Sequence, residues 1–120
     1  MTTRARHLKA AGAVLNGPWR DTPEVLSSGL PVFGTGSYAQ DQGVRGKVLD
    51  WRVPLDIDGV NLCPGDIVFG DQDGVLVIPR VAEREAITRA LAKASAENSV
   101  RVAIEAGMST AEAFRTFGVM

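Results

Sequence analysis

The segment "GAVLNGPWRDTPEVLSSGLPVFGTG", residues 12–36, decides the fold. It contains two short apolar runs, residues 12–17 and 30–36, each bounded by glycine, a pattern that favours buried strands over helices. Between them, "DTPEVLSSG" carries helix-start signals, with Asp21 or Thr22 at the N-cap and a proline in the first turn. Strand, helix and strand in this order predict a parallel strand pair joined by a right-handed crossover.

Residues 47–79 follow a different pattern, in which short apolar runs alternate with turn signals. Asp58-Gly59 and Asp73-Gly74 each stand between two such runs, and an Asp-Gly pair in that position is a strong hairpin signal. The segment therefore predicts short antiparallel strands.

Residues 80–117 predict helices. A long Ala-, Glu- and Arg-rich helix is expected first, with a break near Asn98-Ser99, and a short helix capped by Ser109 is expected to follow. Ile87, Leu91 and Ala94 form one apolar stripe along the long helix, with Ala90 beside it. Two ion pairs at i,i+4 spacing are expected, Glu85 with Arg89 and Glu97 with Arg101.

The composition excludes several classes of protein. The net charge of −1 does not indicate the basic surface that a nucleic-acid-binding protein carries, and no apolar run is long enough to span a bilayer. One cysteine and one histidine exclude an internal disulfide framework and His-pair zinc motifs. We expect a cytoplasmic protein whose chemistry rests on carboxylates, arginine and backbone groups.

The predicted parallel pair needs cover on both of its faces. The chain offers about one helix before the pair and one long helix after it, and the first strand begins about a dozen residues from Met1. We therefore expect a single α/β domain, residues 1–120, that is truncated at its N-terminus or is completed by a partner subunit.

Arg20 and Asp21 lie between the end of the first predicted strand and the start of the helix, where open α/β folds bind ligands. The Arg20 guanidinium suits a carboxylate, and the Asp21 oxygens suit Mg²⁺ or Mn²⁺. Glu24, three residues later, would join Asp21 at the same ion, directly or through water. The alternative is that these residues only cap the helix.

The whole pattern resembles a known family. The segment at residues 12–36, the run "VPLDIDGVNLCPGDIVFGDQDGVLVIP" and the long helix are similar to 4-hydroxy-4-methyl-2-oxoglutarate aldolases and regulators of ribonuclease activity A. The likeness covers the chain from about residue 5 to its end but corresponds to the C-terminal part of a usual member. It implies a swivelling β/β/α (RraA-like) fold, a homotrimer or dimer of trimers, and active sites at subunit interfaces.

The resemblance also implies roles for the site residues. Arg20 would bind the pyruvate moiety, Asp21 would hold the divalent metal and Glu24 would support the site. The reaction implied is metal-dependent retro-aldol cleavage of 2-oxo acids to pyruvate, oxaloacetate decarboxylation, or both. An acid at the position of Asp21 favours the aldolase branch over the ribonuclease regulators.

One departure keeps other functions open. The glycine that precedes the Arg-Asp motif in the family would fall before Met1, so the resemblance implies that this chain carries only half of the family's pocket. The alternatives are a non-catalytic protein that binds a ribonuclease or another protein, and an inactive fragment.

Overall fold

The computed structural model describes residues 1–118, and the chain divides into two units, Met1–Pro79 and Arg80–Met120. The first unit holds all of the described strands, and the second is helical. The mixed α/β class expected from the sequence is confirmed, whereas a single domain over residues 1–120 stays a prediction.

A parallel strand pair forms the first part of the N-terminal unit. After helix α1 (Thr2–His7), strand β1 (Ala13–Val14) pairs with β2 (Val32–Phe33), and α2 (Thr22–Ser27) makes the crossover. Both strands are shorter than the predicted apolar runs because their ends bend into loops that continue the pairing through single hydrogen bonds. The strand–helix–strand prediction is confirmed.

Helix α2 ends just before a glycine. Gly29 follows it with a φ of 69°, a left-handed conformation that glycine adopts without strain. The Ser28 hydroxyl donates to the Val25 carbonyl oxygen at 2.7 Å and accepts from the Leu30 amide at 3.1 Å. These bonds turn the chain into β2 and place Leu30, which is 6% exposed, in the interior.

Two antiparallel hairpins complete the unit. Strand β3 (Leu55–Ile57) pairs with β4 (Val60–Leu62), and β5 (Ile67–Gly70) pairs with β6 (Val75–Ile78). In the first hairpin both turn residues have positive φ, 53° at Asp58 and 81° at Gly59, as a type I′ turn requires. Both predicted hairpins are confirmed.

The first antiparallel strand begins later than expected. Residues 47–54 form no strand, and pairing starts only at Leu55. Arg52 has a φ of 57°, outside the extended region, and Pro54 has no amide hydrogen to donate to a neighbouring strand. These two residues keep the segment out of the sheet despite its apolar side chains.

The C-terminal unit consists of a 3₁₀ turn (Arg80–Ala82), α3 (Glu83–Glu105) and α4 (Thr110–Phe117). The helices pack on each other around Val100, which is 4% exposed, and Ala113, which is fully buried. The Ser109 hydroxyl accepts from the Glu112 amide at 3.2 Å, which confirms the predicted cap.

Two predictions for α3 are wrong. The helix runs unbroken through Asn98-Ser99, and the Ser99 hydroxyl donates to the Ser95 carbonyl one turn earlier instead of capping a new helix. Glu97 pairs with Lys93 at 3.4 Å instead of with Arg101, whose guanidinium donates to the Asn98 side chain at 3.3 Å. The predicted Glu85–Arg89 pair is confirmed at 3.1 Å.

The chain leaves much apolar surface in contact with solvent. Within residues 1–118 only three hydrophobic side chains are buried: Leu30, Val100 and Ala113. The accessible surface is 9895 Å², whereas two separate folded proteins of these two lengths would expose about 7,500 Å² together. The predicted apolar stripe on α3 is part of the surplus, since Ile87 is 39% and Leu91 64% exposed.

No helix among the described residues has the length and apolar character needed to cross a membrane.

The close approach of the two loops after β1 and β2 gives a stability prediction. A Cβ at Gly34 would lie 2.7 Å from the Gly17 carbonyl oxygen and 3.3 Å from the Trp19 ring. Gly34→Ala should therefore lower the free energy of unfolding by about 1–3 kcal/mol in urea denaturation. Gly46→Ala, where a Cβ meets no atom within 4 Å, should change it by less than about 0.5 kcal/mol. Equal effects of the two substitutions would contradict this packing.

Candidate functional site

Two loops meet at the carboxyl edge of the parallel pair. One follows β1 and leads to Arg20, and the other follows β2 and leads to Asp41. The Trp19 amide donates to the Gly36 carbonyl at 2.9 Å, and the Tyr38 amide donates to the Trp19 carbonyl at 2.8 Å. The ladder between the strands thus continues into the loops, and it brings residues 20 and 41 together although 21 positions separate them.

Arg20 lies between two carboxylates. Its Nη1 is 2.8 Å from Asp41 Oδ2, and its Nε is 3.4 Å from Asp21 Oδ1. All three side chains are accessible, with exposed fractions of 44% for Arg20, 65% for Asp21 and 70% for Asp41. One positive and two negative charges therefore meet at a surface that a small molecule can reach.

Asp41 is itself held in place. Its Oδ1 accepts from the Gly43 amide at 2.9 Å while Oδ2 faces the guanidinium, and its carbonyl accepts from Arg45 Nε at 3.1 Å. The hydrogen bond to Arg20, assisted by the Gly43 amide, lowers the pKa of Asp41 below its ordinary value. The same hydrogen bond, with the charges of both carboxylates, raises the pKa of Arg20.

Asp21 stands at the N-cap of α2 but does not cap it. Its backbone is left-handed, with φ 61° and ψ 49°, and its side chain makes no capping hydrogen bond. An N-cap residue normally has extended dihedrals that bring its side chain over the first helical amides. The capping interpretation of Asp21 is therefore wrong, and its carboxylate faces Arg20 instead.

An open depression of about 560 Å³ lies beside the guanidinium. Its lining residues come from both loops and the start of α2: Arg20, Asp21, Thr22, Pro23, Ser37, Tyr38 and Ala39. The Tyr38 phenol donates to the Gln40 side-chain oxygen at 2.9 Å. The depression thus offers a cation, a carboxylate, a hydroxyl and an aromatic ring to one small ligand.

Glu24 lies in the first turn of α2 and does not line the depression. Across residues 1–118, no group of three or more His, Cys, Asp or Glu side chains is arranged to hold a metal ion. Hence the structure brings Arg20 and Asp21 together but does not add Glu24 to them.

The sequence reasoning missed Asp41. It lies in a polar loop with no motif, and its place beside Arg20 depends on pairing between distant segments. A usable signal existed, because the carboxyl ends of neighbouring parallel strands lie at the same edge of a sheet. This rule predicts that a partner of Arg20 lies in the loop after the second strand.

Comparison with known proteins agrees with this architecture. A model of the RraA-like family, described as Aldolase/RraA, matches residues 1–77. The chain belongs to the RraA-like family. The resemblance drawn from the sequence is thereby confirmed, as is the fold it implied.

Individual relatives share about a third of their residues with this chain. Protein DlpA of Legionella pneumophila is 34% identical over 94% of the chain and 18% of its own length. A Halalkalibacterium halodurans protein named "Putative 4-hydroxy-4-methyl-2-oxoglutarate aldolase" is 31% identical over 92% of the chain and 52% of its own length. A crystal structure of an uncharacterized Pseudomonas syringae protein matches with a TM-score of 0.93 and 32% identity, over 98% of the chain and 55% of that protein.

The chain spans about half the length of the Halalkalibacterium and Pseudomonas proteins and less than a fifth of DlpA. The activities of those longer proteins are therefore only proposed for this chain.

The ion pair at the site gives a prediction about pH. The folded pKa of Asp41 lies below its ordinary value of 3.8, so its pairing stabilises the fold above that pH and is lost as the pH falls through the folded pKa. A carboxyl-carbon NMR titration should show Arg20→Ala raising the pKa of Asp41 towards the ordinary value. Arg6→Ala, which removes the same charge from α1, should leave it unchanged. An Asp41 pKa that is the same in both variants would contradict the pairing.

Proposed function

We propose that this chain carries the Arg-Asp half of a divalent-metal-dependent lyase site that forms pyruvate from 2-oxo acids. The observation that supports it best is the position of Arg20 and Asp21 at an open depression, at the carboxyl edge of the parallel pair of an RraA-like chain. A guanidinium beside an accessible carboxylate suits an anionic ligand together with a hard cation.

The few carboxylate oxygens near the depression suit Mg²⁺ or Mn²⁺ bound partly through water. Mg²⁺ usually keeps several waters and binds proteins through one or two carboxylates. Asp21, 65% exposed, would supply one carboxylate, and Glu24, also exposed and one turn along α2, would act through water. The bound ion would polarise the 2-oxo group as a Lewis acid.

Arg20 would perform the steps that belong to this chain. Its guanidinium would hold the carboxylate and 2-oxo end of the substrate and fix the orientation of the C3–C4 bond. In retro-aldol cleavage the C4 hydroxyl would lose its proton to water as C4 becomes a carbonyl, and the electron pair of the broken bond would spread onto the C2 oxygen, where the guanidinium would stabilise the developing charge. Loss of CO₂ from oxaloacetate leaves the same enolate, so one site would serve retro-aldol cleavage and decarboxylation. Protonation at C3 then gives pyruvate.

We further propose that copies of this chain associate as a homotrimer or dimer of trimers in the cytoplasm. The exposed apolar side chains support association, and the total accessible surface exceeds that of ordinary folded proteins by more than the roughly 800 Å² that each partner buries in a standard interface.

The activity test follows pyruvate release by the purified chain. Substrates are 4-hydroxy-4-methyl-2-oxoglutarate and oxaloacetate, with Mg²⁺ or Mn²⁺ added. We expect metal-dependent release, and a loss of about 100-fold or more in kcat/KM for Arg20→Ala and for Asp21→Ala, since each removes a group that stabilises or positions developing charge.

Matched controls are Arg6→Ala on α1 and Asp50→Ala, whose carboxylate accepts only from the neighbouring Trp51 amide among the contacts described. Both should retain wild-type rates. Absence of metal-dependent turnover, with Asp21→Ala indistinguishable from the wild type, would exclude the lyase proposal.

A second candidate is a non-catalytic protein that regulates a ribonuclease by binding it, and the exposed apolar stripe on α3 favours it. Leu91 is 64% exposed in this stripe. Under this candidate the chain slows RNA cleavage in a ribonuclease assay, Leu91→Glu weakens that inhibition at least about tenfold, and Arg20→Ala leaves it unchanged. Lyase turnover without any inhibition would exclude it.

A further inference from the structure

Asp41 forms an ion pair with the Arg20 guanidinium, the group that a 2-oxo acid would need to contact. Its Oδ2 lies 2.8 Å from Arg20 Nη1, the distance of a charge-assisted hydrogen bond. A ligand carboxylate approaching the guanidinium would seek the same kind of contact. The Asp41 carboxylate thus stands where the carboxylate of a ligand would bind.

The loop supplies this carboxylate in a fixed orientation. The Gly43 amide holds one oxygen of Asp41 at 2.9 Å, which leaves the other directed at Arg20. Asp21 is farther from the guanidinium, at 3.4 Å from Nε, and is the residue assigned to the metal in the proposed site. Of the two acids, Asp41 is the one whose contact with Arg20 competes most directly with a bound anion.

We propose that Asp41 is an internal competitor for Arg20, and that it must release the guanidinium before a 2-oxo acid binds there. This inference rests on the proposed function, because it takes the ligand to be a small carboxylate. Asp41 acts through Arg20 and is therefore a residue that tunes affinity rather than a catalytic one. It weakens the binding of any carboxylate that cannot displace it, and so selects against poor ligands.

Asp41→Asn is a suitable variant. An asparagine side-chain oxygen can still accept from the Gly43 amide, so the turn is retained, while the negative charge that holds Arg20 is removed. Asp50→Asn is the matched control, since it removes one negative charge from an exposed carboxylate further along the same stretch of chain. Thermal melting of the wild type and both variants checks that the fold is unchanged.

Pyruvate is the probe, titrated into the full chain by NMR at constant ionic strength, with and without Mg²⁺. Asp41→Asn should bind pyruvate about fivefold more tightly than the wild type, the upper range of an exposed ion pair. Asp50→Asn should stay within about 1.5-fold of the wild type, because the described contacts of Asp50 do not include Arg20, whose ion pairs are with Asp21 and Asp41. The gain is expected with and without Mg²⁺, since Asp41 competes for the guanidinium and not for the cation.

A second readout follows the carboxylate itself. The side-chain carboxyl carbon of Asp41 should shift as pyruvate saturates the wild type, because the carboxylate leaves Arg20, while the signal of Asp50 stays in place. A purely structural Asp41 would keep its shift.

The outcomes separate the two proposals. Unchanged or weaker pyruvate binding by Asp41→Asn, or a loss confined to samples with Mg²⁺, overturns the competition while leaving the proposed function intact. Failure of the wild type and of both variants to bind pyruvate contradicts the proposed function, and the competition falls with it.

Discussion

The parallel pairing of β1 with β2 is the constraint on which the rest of the N-terminal unit depends. Only two residues of each strand pair regularly, yet the loops beyond them remain in step through the Trp19–Gly36 and Tyr38–Trp19 backbone bonds. Glycine at position 34 allows this approach, because the Gly17 carbonyl lies where a side chain would begin. Without this continuation, the loop that carries Asp41 would have no defined position relative to Arg20.

The charges at the depression follow from that geometry. A guanidinium between two carboxylates carries a net charge of −1, and exposed ion pairs of this kind contribute little to stability. The Gly43 amide directs Asp41 at Arg20, and Asp21, whose left-handed backbone leaves the helix amides uncapped, faces the same guanidinium. A left-handed aspartate is itself an uncommon conformation, of a kind that concentrates at functional positions.

The sequence predicted what depends on local patterns. The Asp-Gly hairpins and the Ser109 cap rest on residues within a few positions of one another, and the crossover rests on the order of strand, helix and strand; all appear in the structure. A prediction that depended on which of two possible ion-pair partners wins was wrong, since Glu97 pairs with Lys93 and not with Arg101. At the site, the motif located Arg20 and Asp21, but no local pattern could locate Asp41, since its position is set by strand pairing across 21 residues of sequence.

The exposed apolar surface and the few oxygen donors of the depression share one physical requirement, which is contact with further protein surface. Solvated side chains such as Leu91 and Trp51 (64% and 74% exposed) cost free energy that a folded chain normally recovers by burial. The proposed cation site, which has one carboxylate at the depression in the described part of the chain, would likewise bind weakly until further oxygens approach. Protein surface that approached the open depression would exclude water from Arg20, and every charge interaction there would strengthen as the local dielectric falls. If the proposed association brings a partner to the depression, it would strengthen the hold of Arg20 on an anion.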